Sequence, residues 1–213
     1  MALNRSTNVA CALVLLCATA APFKDGLAES SLGKFIGRLI TSWDGNGRDM
    51  RLEQPFKFID PEGKSWPVPK GTVVDGASIP QFLWSVIGGP FSGKYRYASV
   101  IHDYYCAKQA RKPSDTHKVF YTAAIASGVS KGKAWVLYKA VDTFGPSWPS
   151  SRSLKSGCEA VTEDNLEDCV TNFAAGGPKE ARNPSATEID EFLSSMRSQG
   201  FDAEVDEIEK SLP

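Results

Sequence analysis

With 213 residues, 42% hydrophobic and 23% charged, the chain has an ordinary globular composition, enough to bury one core of about 130 residues plus appendages. The formal net charge of −1 hides an asymmetry: residues 30–158 carry 18 Lys+Arg against 9 Asp+Glu, and residues 159–213 carry 4 against 14. A basic body favours an anionic membrane or a polyanion, an acidic tail more often solvates or covers such a face, and neither a nucleic-acid motif nor an internal repeat is present.

The chain opens with Arg5, then an uncharged apolar run from Val9 to Ala20 containing Ala18-Thr19-Ala20, the pattern of a secretory signal peptide. The run is short for a bilayer span. A second cleavage site follows Gly26-Leu27-Ala28, so the expected division is a signal over 1–28, a domain over 30–146, and a linker, cystine loop and acidic helical tail over 147–213. Secretion, or residence in a periplasm, places Cys106, Cys158 and Cys169 in an oxidising compartment. Cys158 and Cys169 flank a short polar loop and form the expected disulfide, worth about 2–3 kcal/mol, while Cys106 reads as a core thiol.

Lys34 to Trp43 reads as a strand closed by the turn Asp44-Gly45-Asn46-Gly47, with Arg51 to Ile59 returning as its hairpin partner. Asp60-Pro61-Glu62-Gly63 turns the chain into short strands over Ser65 to Val68 and Thr72 to Val74, the first held at an edge by Pro67 and Pro69. These make a small, mostly antiparallel sheet.

About four helices follow. Ser78 is placed to cap the first, with Pro80 in its opening turn, and Gly88-Gly89-Pro90 stops it. The second, from about Gly93, aligns Ala98, Ile101, His102 and Tyr105 on one apolar face. Pro113-Ser114 starts the third, with Asp115 heading an inward stripe through Val119 and Ala123, and Ser130 caps the fourth, which ends at Gly145-Pro146. In the tail, Ser185 and Glu188 form a capping box for a helix through Phe192, Leu193 and Met196, stopped by Gly200. The fold class is α+β with an acidic helical C-terminal appendage.

Val68-Pro69-Lys70-Gly71, Asp75-Gly76-Ala77-Ser78-Ile79-Pro80, Phe82-Leu83-Trp84, His102-Asp103, Asp115, Phe120 and the run from Tyr138 to Gly145 form an ordered set. Over about Lys34 to Gly145 that set resembles the bacterial and phage family known as domain of unknown function 1353. Two positions depart from the family pattern, Cys106 where a Tyr usually follows the His by four residues, and Ser114 where Ala is favoured before the Asp. The resemblance implies the domain and no particular activity.

His-Asp on a helix, a polar glycine loop upstream and an Asp on the next helix also follow the residue order of secreted calcium-dependent phospholipases. On that analogy His102 is the general base for a water, Asp115 orients it, and Asp103 with Asp75 and the Gly76 carbonyl binds Ca2+. The expected substrate is a membrane lipid or small ester. Contact between His102 and Asp115 requires the second helix to end near Ala107, since a helix running to Arg111 puts the imidazole roughly 13 Å from the turn.

Other classes fit other residues. A histidine on an apolar face also serves as a packed core group. A phage-type structural or adhesion module uses exposed aromatics such as Trp43, Trp66 or Trp148, and a secreted toxin or effector is a third class. HD phosphohydrolases need more histidines than His102 and His117, zinc sites in a recognised spacing are lacking, and no Gly-x-Ser-x-Gly elbow occurs. The export reading predicts that N-terminal sequencing of protein from the producing cell finds Ala21 or Glu29 first; an intact Met1 in the cytoplasm contradicts it.

Overall fold

A computed structural model describes residues 32–45, 49–75, 78–84, 89, 91, 93–148 and 181–212. The expected signal peptide, Gly76, the Cys158–Cys169 pair and the rest of residues 149–180 lie outside the described residues. Among the described residues six strands, β1 (Lys34–Ile36), β2 (Thr41–Trp43), β3 (Met50–Leu52), β4 (Phe56–Ile59), β5 (Ser65–Val68) and β6 (Val73–Val74), precede five helices. These are α1 (Arg96–Lys108), α2 (Pro113–Ala126), α3 (Lys131–Phe144), α4 (Ala186–Ser198) and α5 (Asp202–Glu209), so the fold is α+β.

The expected single hairpin is one ribbon bent into two sheets. β1 pairs with β4 and β2 with β3, all antiparallel; β5 completes the first sheet as β1-β4-β5 and β6 the second as β2-β3-β6. The bend falls where Gly37 takes a φ of 88° opposite Pro55, a conformation open to glycine and strained for other residues. Proline-bearing β5 sits at an edge, as its missing N–H requires. The Asp60 turn closes through its own carboxylate, which accepts from the backbone N–H of Glu62 and Lys64 and from Trp66 Nε1 at 3.1, 2.8 and 2.9 Å.

Both sheets cover α1. From Ala98 to Cys106 every residue of this helix is buried, because β5, β6 and α2 all pack on it. It ends at Lys108, Gln109 adopts a left-handed φ of 52°, and the chain reverses into α2. Ser130 caps α3 through the Lys133 N–H, and Ser185 and Glu188 make the capping box of α4. Ser78 does not cap a helix: the segment it precedes is a 3-10 turn, Gln81–Leu83, with Pro80 at its cap. The serine is buried instead.

The C-terminal helices share the core. Phe192, Leu193, Met196, Val205 and Ile208 are buried in it, and the Phe192 ring meets those of Phe82 and Phe144. The ion pair Lys133–Glu207, at 2.6 Å, links the basic body to the acidic tail.

Replacing Gly37 with alanine adds a Cβ 3.2 Å from the Pro55 carbonyl oxygen at positive φ, and urea denaturation is expected to show a loss of about 1–2 kcal/mol. Gly45→Ala, with open space around the new methyl, serves as the control and shifts stability by less than about 0.5 kcal/mol.

Candidate functional site

The polar residues of α1 face a helix packed antiparallel to it. Such helices meet at residues equidistant from the turn, and a turn at Gln109–Lys112 sets His102 opposite His117 and Phe120. His102 Nε2 lies 2.9 Å from His117 Nδ1, and the His102 ring is 5.2 Å from that of Phe120. His117 Nε2 donates to the Pro146 carbonyl at 3.1 Å, so its Nδ1 is the acceptor and His102 Nε2 the donor. One turn on from His102, the Cys106 Sγ sits 3.6 Å from Nε2 and 3.8 Å from Nδ1 of the imidazole. Ser78 adjoins the Cys106 thiol, and the Trp148 ring closes over His117.

Asp115 is placed elsewhere. Two residues before His117, it points about 200° away around the helix. Its carboxylate pairs with Lys64 at 3.1 Å, and its side chain is 43% exposed, so it heads a surface groove with Lys118 and Glu62 and not an inward stripe. The expected partner of His102 is thus replaced by His117, the right distance from the turn and on the right face. The early helix end that contact required does occur, at Lys108. Asp103 is buried on α1 beside Cys106, whereas Asp75 is exposed at the end of β6. Of the three tryptophans expected to offer an aromatic surface, Trp66 and Trp148 are buried and Trp43 alone is exposed.

Burial dominates the electrostatics. Desolvation, with a smaller contribution from His117, holds the His102 pKa well below that of an ordinary imidazole. Burial also lowers His117, against the opposing pull of Asp142 and the Pro146 carbonyl. The Cys106 thiol is pushed well up by burial and then by Asp103, with Ser78 opposing. A free thiol of this kind is no nucleophile: it lies near the C-terminus of its helix, where the dipole disfavours a thiolate, and it faces a carboxylate.

His102, Cys106 and His117 each present a ligand atom, and the three atoms lie within 4.8 Å of one another. No recognised zinc spacing announces this group. The available sign was His102-x-x-x-Cys106, two donors at i and i+4 on one helix face, completed by a histidine from the next helix. These three side chains offer no oxygen, the donor that calcium takes six to eight of.

Residues 50–141 match the family described as "Protein of unknown function (DUF1353)". The chain is 48% identical over 129 residues to "Uncharacterized protein y4jT" of Sinorhizobium fredii, covering 58% of this chain and 38% of that protein. It is 42% identical over 104 residues to "Uncharacterized protein y4iH" of the same organism, covering 49% and 44%. The chain thus spans less than half the length of these curated relatives. No solved structure matches.

The two lowered imidazoles set a pH dependence. In the unfolded chain they titrate near 6.5, and in the folded chain they resist the proton; as pH falls through 6.5 the unfolded state binds protons that the native state does not. Unfolding free energy, measured in urea with a chelator present, is expected to fall toward pH 5 by up to about 1.4 kcal/mol per pH unit per histidine. A flat profile between pH 7 and pH 5 contradicts the burial of the pair.

Proposed function

Proceeding from a family segment, residues 50–141, that contains the whole side-chain cluster of Ser78, His102, Asp103, Cys106 and His117, we propose that the chain is an exported hydrolase acting on an ester at this cluster. The observation that carries the reading is the convergence. A loop, a helix and the start of a second helix, distant in sequence, bring imidazole, carboxylate and thiol groups into one buried place, and such groups are costly to bury without a task or a partner.

The division of labour differs from the one the phospholipase analogy implies. His102 Nε2 is engaged with His117 and its basicity is depressed, which suits a ligand better than a base. Asp103 is then the group that takes the proton from an attacking water, and a divalent cation, if held at His102, would supply positive charge for the developing oxyanion. The basic body supports a lipid ester at an anionic membrane as the first substrate class. Complete burial of His102 favours a second reading, a polar lock that ties α1 to α2 without turnover.

Asp103→Asn is close to isosteric and is expected to cut hydrolysis of a phospholipid and small-ester panel by at least about 100-fold while keeping the circular dichroism of the native chain. If neither the native chain nor the variant cleaves any panel member with divalent cations present, the lock reading stands and the hydrolase reading falls.

A further inference from the structure

We propose that His102 Nε2, Cys106 Sγ and His117 Nδ1 are the three protein ligands of a borderline-soft divalent transition ion, of which zinc is the type. The proposal deepens the cation-dependent reading above but stands on geometry that does not require turnover.

The spacing fits. Zinc bonds of 2.0–2.1 Å to nitrogen and 2.3 Å to sulfur, arranged tetrahedrally, put sulfur and nitrogen ligands about 3.6 Å apart and two nitrogens about 3.3 Å apart. Sγ of Cys106 lies 3.6 Å from His102 Nε2, and the two imidazole nitrogens are 2.9 Å apart with a shared proton between them. Exchanging that proton for an ion needs the rings to separate by a few tenths of an ångström and to turn, and the Cys106–His117 edge, within 4.8 Å, to close toward 3.6 Å.

The tautomers fit as well. His117 Nε2–H is spent on the Pro146 carbonyl, which leaves the Nδ1 lone pair turned to the site, the carbonyl-anchored arrangement typical of metal-bound imidazoles. His102 must move its proton from Nε2 to Nδ1, and the Cys106 thiol must lose its proton to solvent, so one proton is released per ion bound. A cation at this point also relieves the adverse proximity of a thiolate to Asp103.

The donor set selects the ion. One thiolate and two imidazoles suit zinc, cobalt or copper and reject calcium and magnesium. Three protein ligands match the count of catalytic zinc sites, which keep a position for water, and not the four of structural sites.

The test uses the purified full chain, stripped with a chelator and titrated with Zn2+ and with Co2+. The expected results are one ion per chain, release of one proton, and with Co2+ the thiolate charge-transfer band and visible bands of a tetrahedral complex. Cys106→Ser, nearly isosteric, is expected to abolish the charge-transfer band although the other cysteines remain. Cys106→Ser and His117→Gln are each expected to weaken Zn2+ binding by at least about tenfold, whereas Asp115→Asn leaves it unchanged. A Co2+ complex without the thiolate band, Zn2+ affinity unchanged in both ligand variants, or no binding overturns the site. Hydrolysis without metal binding likewise overturns it while sparing the hydrolase; stoichiometric binding without hydrolysis upholds the site and removes the hydrolase.

Discussion

The structure depends on a helix that has no solvent face. Nine consecutive residues of α1 are buried, and three of them, Ser99, His102 and Asp103, are polar. A half-exposed helix can turn such groups to water, but this one must satisfy them inside. Ser99 Oγ donates to the Tyr95 carbonyl of its own helix, and His102 donates across to α2. Losing the His117 acceptor leaves a buried donor unsatisfied, a penalty on the order of 1–3 kcal/mol. The antiparallel register of α1 and α2 therefore rests on a polar contact as well as on packing.

That register also ties the site to the remainder of the fold. Pro146, directly after α3, supplies the carbonyl that orients His117, and Trp148 Nε1 donates to the Arg111 carbonyl in the reversal between α1 and α2. Arg111 lies over the Trp66 ring and donates to the Ser65 carbonyl, so β5, the helical turn and the end of α3 form one connected wall. The tail reaches the same region through Phe192, which packs on Phe82 just beyond Ser78 and on Phe144 just before Pro146. A close approach at Gly132, where a Cβ would collide with the Glu204 carboxylate, seats α5 against the first turn of α3. Helices α4 and α5 of the acidic tail are thus part of the packed body.

Local signals foretold local structure well. The capping serines at 130 and 185, the glycine and proline at 145 and 146, the Asp60 turn and the edge position of β5 each follow from chemistry confined to a few residues. The long hairpin was legible as a pairing but not as a bend, since Gly37 and Pro55 are 18 positions apart and their opposition exists only once the ribbon has paired. Ser78 before Ile79-Pro80 carries a capping signature, yet the tertiary structure buries it beside Cys106.

The sequence by itself determined the α+β class, the helix that carries His102-Asp103 and the inward direction of that histidine, because periodicity and turn chemistry are properties of neighbouring residues. It could not determine the partner of His102. Asp115 and His117 both lie near the start of the next helix, and choosing between them requires the position of the turn at Gln109 and the rotation of α2 about its axis. Two residues along a helix reverse the face, so Asp115 went to Lys64 at the surface and His117 went inward. The same rotation brought His117 to Cys106 and turned an apparent core thiol into one corner of a ligand triangle, since donors from two helices become neighbours only when those helices pack.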